Sequence, residues 1–401
     1  MQEVSQAVFL VGGKGTRLGA LTRSIPKPLL PLVDDFCLLD FLIEEAARHG
    51  FTDILLLAGY CGDLVEERYR DKKIHGSTIR VLREPTPLGT AGCLKLAEDM
   101  LDPWFLLANG DSFFDMNLRA LMVGDETGFD ARIALREVDD VSRFGAVAHE
   151  DGRVSAFKEK TESGSGRGDI NAGVYLISKR VVKMIDGPTS METEIFPALV
   201  EQGKLQAAKF NGYFIDMGLP DTYERACREI PARRTRPCVF LDRDGVLNID
   251  HGYTHKIENL QWVQGAREAV LALNDAGCFV IVISNQAGVA RGFYSTDDVD
   301  KFHTEMNRQL AEIGAHIDSF YYCPFHADGT VEEYTHPNHP DRKPNPGMLQ
   351  KALSSWPIDT GATFMVGDKT SDVDAARAAD IEGLLFEGGD LERFLKQAER
   401  I

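Results

Sequence analysis

No stretch of this chain stays apolar for the roughly 20 residues that a bilayer-spanning helix needs, so a helical membrane protein is not expected. Cysteine pairs are missing too. The seven cysteines (Cys37, Cys61, Cys93, Cys227, Cys238, Cys278 and Cys323) include no Cys-x-x-Cys. An odd, scattered set fits free thiols in a reducing compartment and argues against a disulfide framework. Positive charge is in short supply: 44 Lys and Arg against 62 Asp and Glu leave a formal net charge of −18. That disfavours nucleic acid as a partner, since phosphate backbones need a basic surface. Small phosphorylated ligands stay compatible, because a few local cations or metal ions can hold them. There is no internal repeat, and the single low-complexity stretch, Thr161 to Gly168, reads as a flexible active-site loop. The opening MQEVSQAVFLVGGKGTR lacks a basic n-region, and its short apolar stretch runs straight into glycines. A signal peptide is therefore not expected, and a cytoplasmic location is. Nothing in the sequence speaks to oligomeric state.

What is present is 401 residues, too many for one typical core, with an ordinary apolar share of 43%. The basic, proline-flanked stretch Pro231 to Pro237 precedes a new apolar strand, Cys238 to Leu241. The expected division is one domain over residues 1–230, a linker over 231–236 and a second domain over 237–401. In the first, Ala7 to Val11, Ile54 to Leu57 and Phe105 to Ala108 read as buried strands, and Leu38 to His49 as an amphipathic helix. In the second, Cys238 to Leu241, Phe279 to Ile283 and Thr363 to Val366 are short apolar runs that end in polar residues. The fold class expected is α/β: two domains, each a mainly parallel sheet flanked by helices, with ligands at the carboxyl ends of the strands.

The first strand runs into Gly12, Gly13, Lys14, Gly15, Thr16, Arg17 and Leu18. Glycines let a backbone approach phosphate and aim amides at it, Lys14 and Arg17 add positive charge, and a helix starting here would add its dipole. Pro26, Lys27, Pro28, Leu29, Leu30 and Pro31 follow, with the prolines holding Lys27 in a stiff segment. The combination resembles the sugar-1-phosphate nucleotidyltransferase family, a Rossmann-like fold, over about residues 5–228. The resemblance implies that Gly12, Gly13, Gly15, Thr16, Arg17, Lys27, Gly89 and Thr90 bind the nucleotide. It places Asn109, Gly110, Glu159, Lys160 and Asn171 on the sugar phosphate. Asp111, at the end of an apolar strand, and Asp216 would hold Mg²⁺. A sugar 1-phosphate oxygen would then attack the α-phosphorus of an NTP and pyrophosphate would leave, with Arg17 and Lys27 as the catalytic cations.

The strand Cys238 to Leu241 leads into Asp242, Arg243, Asp244, Gly245, Val246, Leu247 and Asn248. Two carboxylates one residue apart at a strand end can share a cation, leaving Asp242 to attack phosphorus and Asp244 to shuttle a proton. A calcium loop of the EF-hand type would need a longer run with a terminal Glu. Ser284, Asn285 and Gln286 close a second strand with groups suited to phosphate. Arg342 and Lys343 supply cations, and Asp368, with Asp372 nearby, offers a further carboxylate for Mg²⁺. In this order the segments resemble the haloacid dehalogenase-like phosphatases, which implies an aspartyl-phosphate mechanism with Asp242, Asp244 and Lys343 catalytic and Asp242, Asp244 and Asp368 at the metal.

Within that family, the segments around His251 to His255, Gly288 to Gly292 and Arg342 to Met348 resemble the D-glycero-D-manno-heptose 1,7-bisphosphate phosphatases, with histidinol-phosphate phosphatase a near relative. The match covers about residues 237–388 and implies substrate contacts from His251 and Tyr253, with Arg291 and Arg342 on the phosphate that is not cleaved. A structural zinc common in that family needs Cys-x-His and Cys-x-Cys. Here Cys323, His326, His339 and Asp341 depart from the pattern, and the loop is expected to fold without zinc. The first half, without a β-helix extension, resembles the heptose-1-phosphate guanylyltransferases. Phosphatase and transferase would then be consecutive steps toward GDP-D-glycero-α-D-manno-heptose for a surface glycan. Two alternatives stay open at this stage: the same pair of activities on another sugar or base, and a regulatory or scaffolding role for one degenerate domain.

Overall fold

The computed structural model describes residues 4–124, 127–144, 146–158 and 166–401. The chain forms two compact units that divide between Arg233 and Arg234. The expected linker is not an extended one: helix Pro220–Arg234 continues through Pro231, and Arg236 is buried and bridges to Ile358. Among the described residues no helix is long and apolar enough to cross a membrane.

The first unit is built on a ten-stranded sheet. One parallel block comprises Trp104–Asn109, Gln6–Leu10, Asp53–Ala58 and Ser77–Arg83. The central three, Trp104–Asn109, Gln6–Leu10 and Asp53–Ala58, are mainly apolar because both faces are covered. Ala7, Phe9, Ile54 and Leu56 enter one core, while Val8, Leu55 and Leu57 enter the other. Beyond Trp104–Asn109 the sheet turns antiparallel through Gly168–Ser178, so the whole is mixed. Helix Leu38–Arg48 is fixed at its start by Asp40, whose carboxylate accepts from the Cys37 N–H at 2.9 Å.

A small antiparallel pair then shapes the first site. Ser112–Phe114 pairs with Phe214–Asp216, putting Asp216 opposite Ser112 and beside Asp111.

The second unit is a five-stranded parallel sheet in the order Ser319–Cys323, Phe279–Asn285, Cys238–Leu241, Phe364–Gly367, Glu382–Leu385. Its three central strands end side by side, which brings Asp242, Ser284 and Asp368 to one edge.

Candidate active sites

In the first unit, Gly12, Gly13, Lys14, Gly15 and Lys27 line a cavity of about 540 Å³ that also holds Gly89, Thr90, Asn109 and Asp111. A second cavity of about 190 Å³ contains Arg17, Asn171, Gly173, Phe144, Phe214 and Asp216. Asn109, Asp111 and Glu192 belong to both walls, so one ligand chamber opens onto the other at Asp111.

The loop after the first strand is not followed by an α-helix as expected. Thr16–Thr22 is a 3₁₀ segment, interrupted at Gly19 (φ 60°, ψ −116°), so the loop does not run into the N-terminus of an α-helix. Thr16 is exposed and lines neither cavity. Gly110 lines neither as well. A Cβ there would meet Val11 Cγ1 at 2.6 Å and Leu10 O at 2.8 Å, so glycine is required by the close approach of two strand ends. Glu159 and Lys160 lie outside the described residues.

Lys27 is buried, and its Nζ donates to Asp111 Oδ2 at 2.9 Å and to Asp216 Oδ1 at 3.1 Å. Two carboxylates converging on one ammonium form a seat for positive charge, and the same donor set fits a divalent cation. Asn171 is fixed by Tyr175: its Nδ2 donates to the buried hydroxyl at 2.9 Å, and its Oδ1 accepts from Gly173 N–H.

Two carboxylates that the motifs did not mark line this site. Glu192 Oε2 accepts from Thr90 Oγ1 at 2.8 Å and from Ser190 Oγ at 3.2 Å. Glu84 Oε2 accepts from the Leu88 N–H at 3.1 Å, and its Oε1 lies against Gly12, where a Cβ would come within 2.8 Å. Burial pushes the Glu84 carboxyl up, against the hydrogen bond from Leu88. Glu84 stands a few residues before Gly89 and Thr90, but a lone Glu carries no spacing signal.

In the second unit, Asp242, Asp244, Ser284, Asn285, Gln286, Tyr253 and Lys343 line a cavity of about 220 Å³. The Lys343 ammonium uses all three of its donors: Asp242 Oδ1 at 2.8 Å, Asp372 Oδ1 at 2.7 Å and the Ile283 carbonyl at 2.8 Å. Burial alone would lower this lysine, but the two aspartates outweigh it and keep it charged. Burial raises Asp242, and Lys343 opposes that rise. Asn285 and the Lys343 backbone exchange two hydrogen bonds at 3.1 Å, which ties the second strand to the lysine.

Asp242, Asp368 and Asp372 offer carboxylate oxygens within 4.8 Å of one another. Asp368 Oδ1 is buried without a hydrogen-bond partner, as a metal-ligand oxygen would be. Asp372 completes this trio, and the Asp244 side chain is not part of it. The Asp244 carboxylate, in the cavity wall, accepts from the Arg243 guanidinium at 2.8 and 2.9 Å, Asn248 Nδ2 at 3.0 Å and Gln286 Nε2 at 2.9 Å. Gln286 is buried and also donates to Ser284 Oγ, so its amide orients the site's other groups.

His251 is exposed and outside the cavity wall. Arg291 and Arg342 are likewise not in the wall. The Arg291 guanidinium stands 5.7 Å from the Tyr253 ring centre, and Arg342 Nη1 donates to the Phe325 carbonyl at 3.2 Å. In the loop from Cys323 to Asp341 the donors are engaged separately. Cys323 is buried and its thiol faces the Phe325 carbonyl. His326 Nδ1 accepts from Asp328 N–H, and His339 Nδ1 from Asp341 N–H. The His339 ring stacks on Phe325 at 3.8 Å, and Asp341 pairs with Lys351.

Known proteins match each unit. The Nucleotidyl transferase family profile matches residues 6–233, and the HAD-hydrolase-like profile residues 341–398. A D-glycero-beta-D-manno-heptose-1,7-bisphosphate 7-phosphatase from Rhodopseudomonas palustris is 46% identical over 162 residues, 40% of this chain and 89% of that protein. The protein of the same name from Yersinia pestis is 42% identical over 145 residues, 36% of this chain and 77% of its own. The crystal structure of HddC from Yersinia pseudotuberculosis, also solved in complex with GMP-PN, aligns at 30% identity and a TM-score of 0.51, over 57% of this chain and all of that one. The chain belongs to the nucleotidyl transferase family through its first unit and to the HAD-like phosphatases through its second.

Proposed function

We propose that the protein is a bifunctional cytoplasmic enzyme that removes one phosphate from D-glycero-D-manno-heptose 1,7-bisphosphate and then transfers GMP from GTP to the resulting heptose 1-phosphate. The observation that carries this reading is the pairing of two complete sites in one chain. One joins a nucleotide-sized cavity to a smaller one at Asp111, and the other sets Asp242 and Lys343 at the edge of a parallel sheet. The phosphatase relatives give the heptose bisphosphate, and the GMP-PN complex of HddC favours a guanine nucleotide. Glu84 supports guanine as well. A carboxylate only accepts, and the guanine edge presents N1–H and N2–H donors side by side.

In the second unit, Asp242 attacks the phosphorus and the ester P–O bond breaks. Asp244 protonates the leaving oxygen, then takes a proton from the water that cleaves the aspartyl phosphate. Ser284 and Asn285 hold the phosphate oxygens and the Lys343 charge screens them, while Arg291 and Arg342 stand at the rim for the phosphate that stays. In the first unit, the Gly12 to Gly15 backbone cradles the triphosphate, with Lys14 and Arg17 as counter-charges. Asn109 and Asn171 hold the sugar phosphate whose oxygen displaces pyrophosphate at the α-phosphorus. Mg²⁺ at Asp111 and Asp216, and at Asp242, Asp368 and Asp372, would supply charge neutralisation on the transferred phosphoryl groups.

The test is one incubation of the full chain with heptose 1,7-bisphosphate (both anomers), GTP and Mg²⁺, followed by mass spectrometry. GDP-heptose and inorganic phosphate are expected. Asp242→Asn should make GDP-heptose only from supplied heptose 1-phosphate, and Asp111→Asn should stop at heptose 1-phosphate. GDP-heptose formed from the bisphosphate by Asp242→Asn would refute the nucleophile assignment.

A further inference from the structure

Two exposed aromatic rings meet beside the second unit's cavity, one of them, Tyr253, in its wall. Phe293 is 54% exposed and Tyr253 42%. Their centroids lie 4.9 Å apart, with the ring planes at 78°. The core does not need Phe293. Its neighbour Tyr294 points inward, buried, and its hydroxyl donates to Gln286 Oε1 at 2.8 Å. Consecutive aromatics thus point in opposite directions, one to the fold and one to solvent.

Tyr253 sits in left-handed backbone, at φ 56°, which is costly for a bulky residue and persists only where the surroundings impose it. Three contacts do so. The His251 N–H donates to Thr254 Oγ1 at 3.0 Å, the Gly252 N–H to Asp250 Oδ1 at 2.8 Å, and the buried Arg243 guanidinium to the Thr254 carbonyl at 2.6 Å. The strained turn keeps an apolar ring in the wall of a cavity whose other groups, Asp242, Ser284, Asn285 and Lys343, are polar.

We propose that Phe293 and Tyr253 form a stacking platform for the sugar ring, with Phe293 as a specificity-determining residue of the phosphatase site. This rests on the reading of the second unit as a sugar phosphatase. An ester whose phosphorus lies at Asp242 must lead its alcohol part out along the wall that includes Tyr253. A pyranose has a C–H-rich face that an aromatic ring can cover, with its hydroxyls left at the edge for polar groups. Covering the pair also removes apolar surface from water. Arg291, beside Tyr253, stands where a charge carried beyond the ring would arrive.

The test compares the full-length wild type, Phe293→Ser and Phe293→Trp on heptose 1,7-bisphosphate and on glycerol 1-phosphate, a phosphomonoester without a ring. Phe293→Ser should raise KM for the bisphosphate about tenfold, with kcat and the glycerol 1-phosphate kcat/KM within about twofold of wild type. Phe293→Trp should keep KM near the wild-type value. An unchanged KM for the bisphosphate in Phe293→Ser, or an equal loss on both substrates, would overturn the platform. So would a loss confined to self-association or protein binding. Wild-type protein that cleaves glycerol 1-phosphate but no sugar phosphate would instead overturn the substrate reading, and the platform with it, before any variant is made.

Discussion

Lys27 holds Asp111 by a 2.9 Å ion pair and reaches Asp216 with the same nitrogen at 3.1 Å. Lys343 does likewise with Asp242 and Asp372 in the other unit, but the settings differ. The carboxylates around Lys27 are 44% and 24% exposed, those around Lys343 7% and 1%. The first ammonium is therefore an exchangeable counter-ion facing a ligand chamber, and the second is a built-in part of its core.

That difference gives a prediction for Lys27→Met. Without the ammonium, two like charges face each other across the seat, so the metal-free variant should melt below the wild type. A divalent cation then has no ammonium to displace. Mg²⁺ should raise the melting temperature of Lys27→Met by more than that of the wild type, since stabilisation follows binding to the folded state. Nucleotidyl transfer should fall by about a thousandfold, through loss of a cation at the reacting phosphates. A smaller Mg²⁺ shift in the variant, read by calorimetry, would show that Lys27 does not share the metal's seat.

The strands were legible because burial on both faces leaves a nearly uninterrupted apolar run, and the candidate carboxylates were legible because each stands at or just past the end of a run. Asp111, Asp242 and Asp368 follow that rule. What sequence reasoning missed is set by pairings distant in the chain. Glu192 joins both cavities only because the segment Ser190 to Ile195 packs on Thr90. Asp372, noted in the sequence beside Asp368, reaches the trio because Gly367 leaves room: a Cβ there would lie 2.1 Å from the Asp372 Cβ. The α-helix expected after the glycine loop fails at Gly19, whose backbone leaves the helical region. The Asp244 side chain stands apart from the trio of Asp242, Asp368 and Asp372 because its neighbour Arg243, fully buried, turns back onto it.

Gly245→Ala should disable the phosphatase through Asp368. Gly245 has φ 92°, and a Cβ would lie 2.4 Å from Asp368 Oδ2 and 2.7 Å from its Cγ. The carboxylate must move out of the trio it forms with Asp242 and Asp372. Phosphatase kcat/KM should drop by about a hundredfold or more, while nucleotidyl transfer stays at the wild-type level. Gly388→Ala is the control. It carries similar backbone strain, at φ 97°, with nothing within 4 Å of the added carbon. Equal phosphatase losses in the two variants would assign the effect to strain and not to the metal trio.

His303 should set part of the second unit's acid sensitivity. It is buried and stacked on Phe320 at 4.2 Å, with Nε2 unpartnered. Burial first, and then the nearby Arg243 charge, hold it well below its ordinary value of 6.5. The unfolded chain takes up this proton as pH falls through about 6.5 and the folded chain does not, so stability is complete above that pH and declines below it. By pH 5.5 one such histidine costs about 1.4 kcal/mol. His303→Phe keeps the stacking and removes the proton uptake. The opening free energy of the strand Phe279–Asn285, read by hydrogen exchange at pH 7.5 and 5.5, should fall by about that much less in the variant. An identical decline in both proteins would remove His303 from the acid response.

Glu84→Gln tests the base. Glu84 lines the nucleotide cavity with its Oε2 already on the Leu88 N–H, which leaves Oε1 beside Gly12 as an acceptor without a donor of its own among the described bonds. Guanine can fill that acceptor with N1–H or N2–H, and a charged acceptor makes such a bond worth about 1.5–3 kcal/mol. In Glu84→Gln the amide can keep the Leu88 bond through its oxygen, but its NH₂ then faces the base as a donor. That change removes the attraction for guanine and sets donor against donor. GTP kcat/KM should fall by about tenfold to a hundredfold, while UTP and dTTP, which present a carbonyl at O4, lose little or gain. KM should carry most of the change, because the base takes no part in phosphoryl transfer. Equal losses for all three nucleotides would mean that Glu84 shapes the loop without reading the base, and the choice of guanine would then have to come from backbone groups around Gly12 and Gly59.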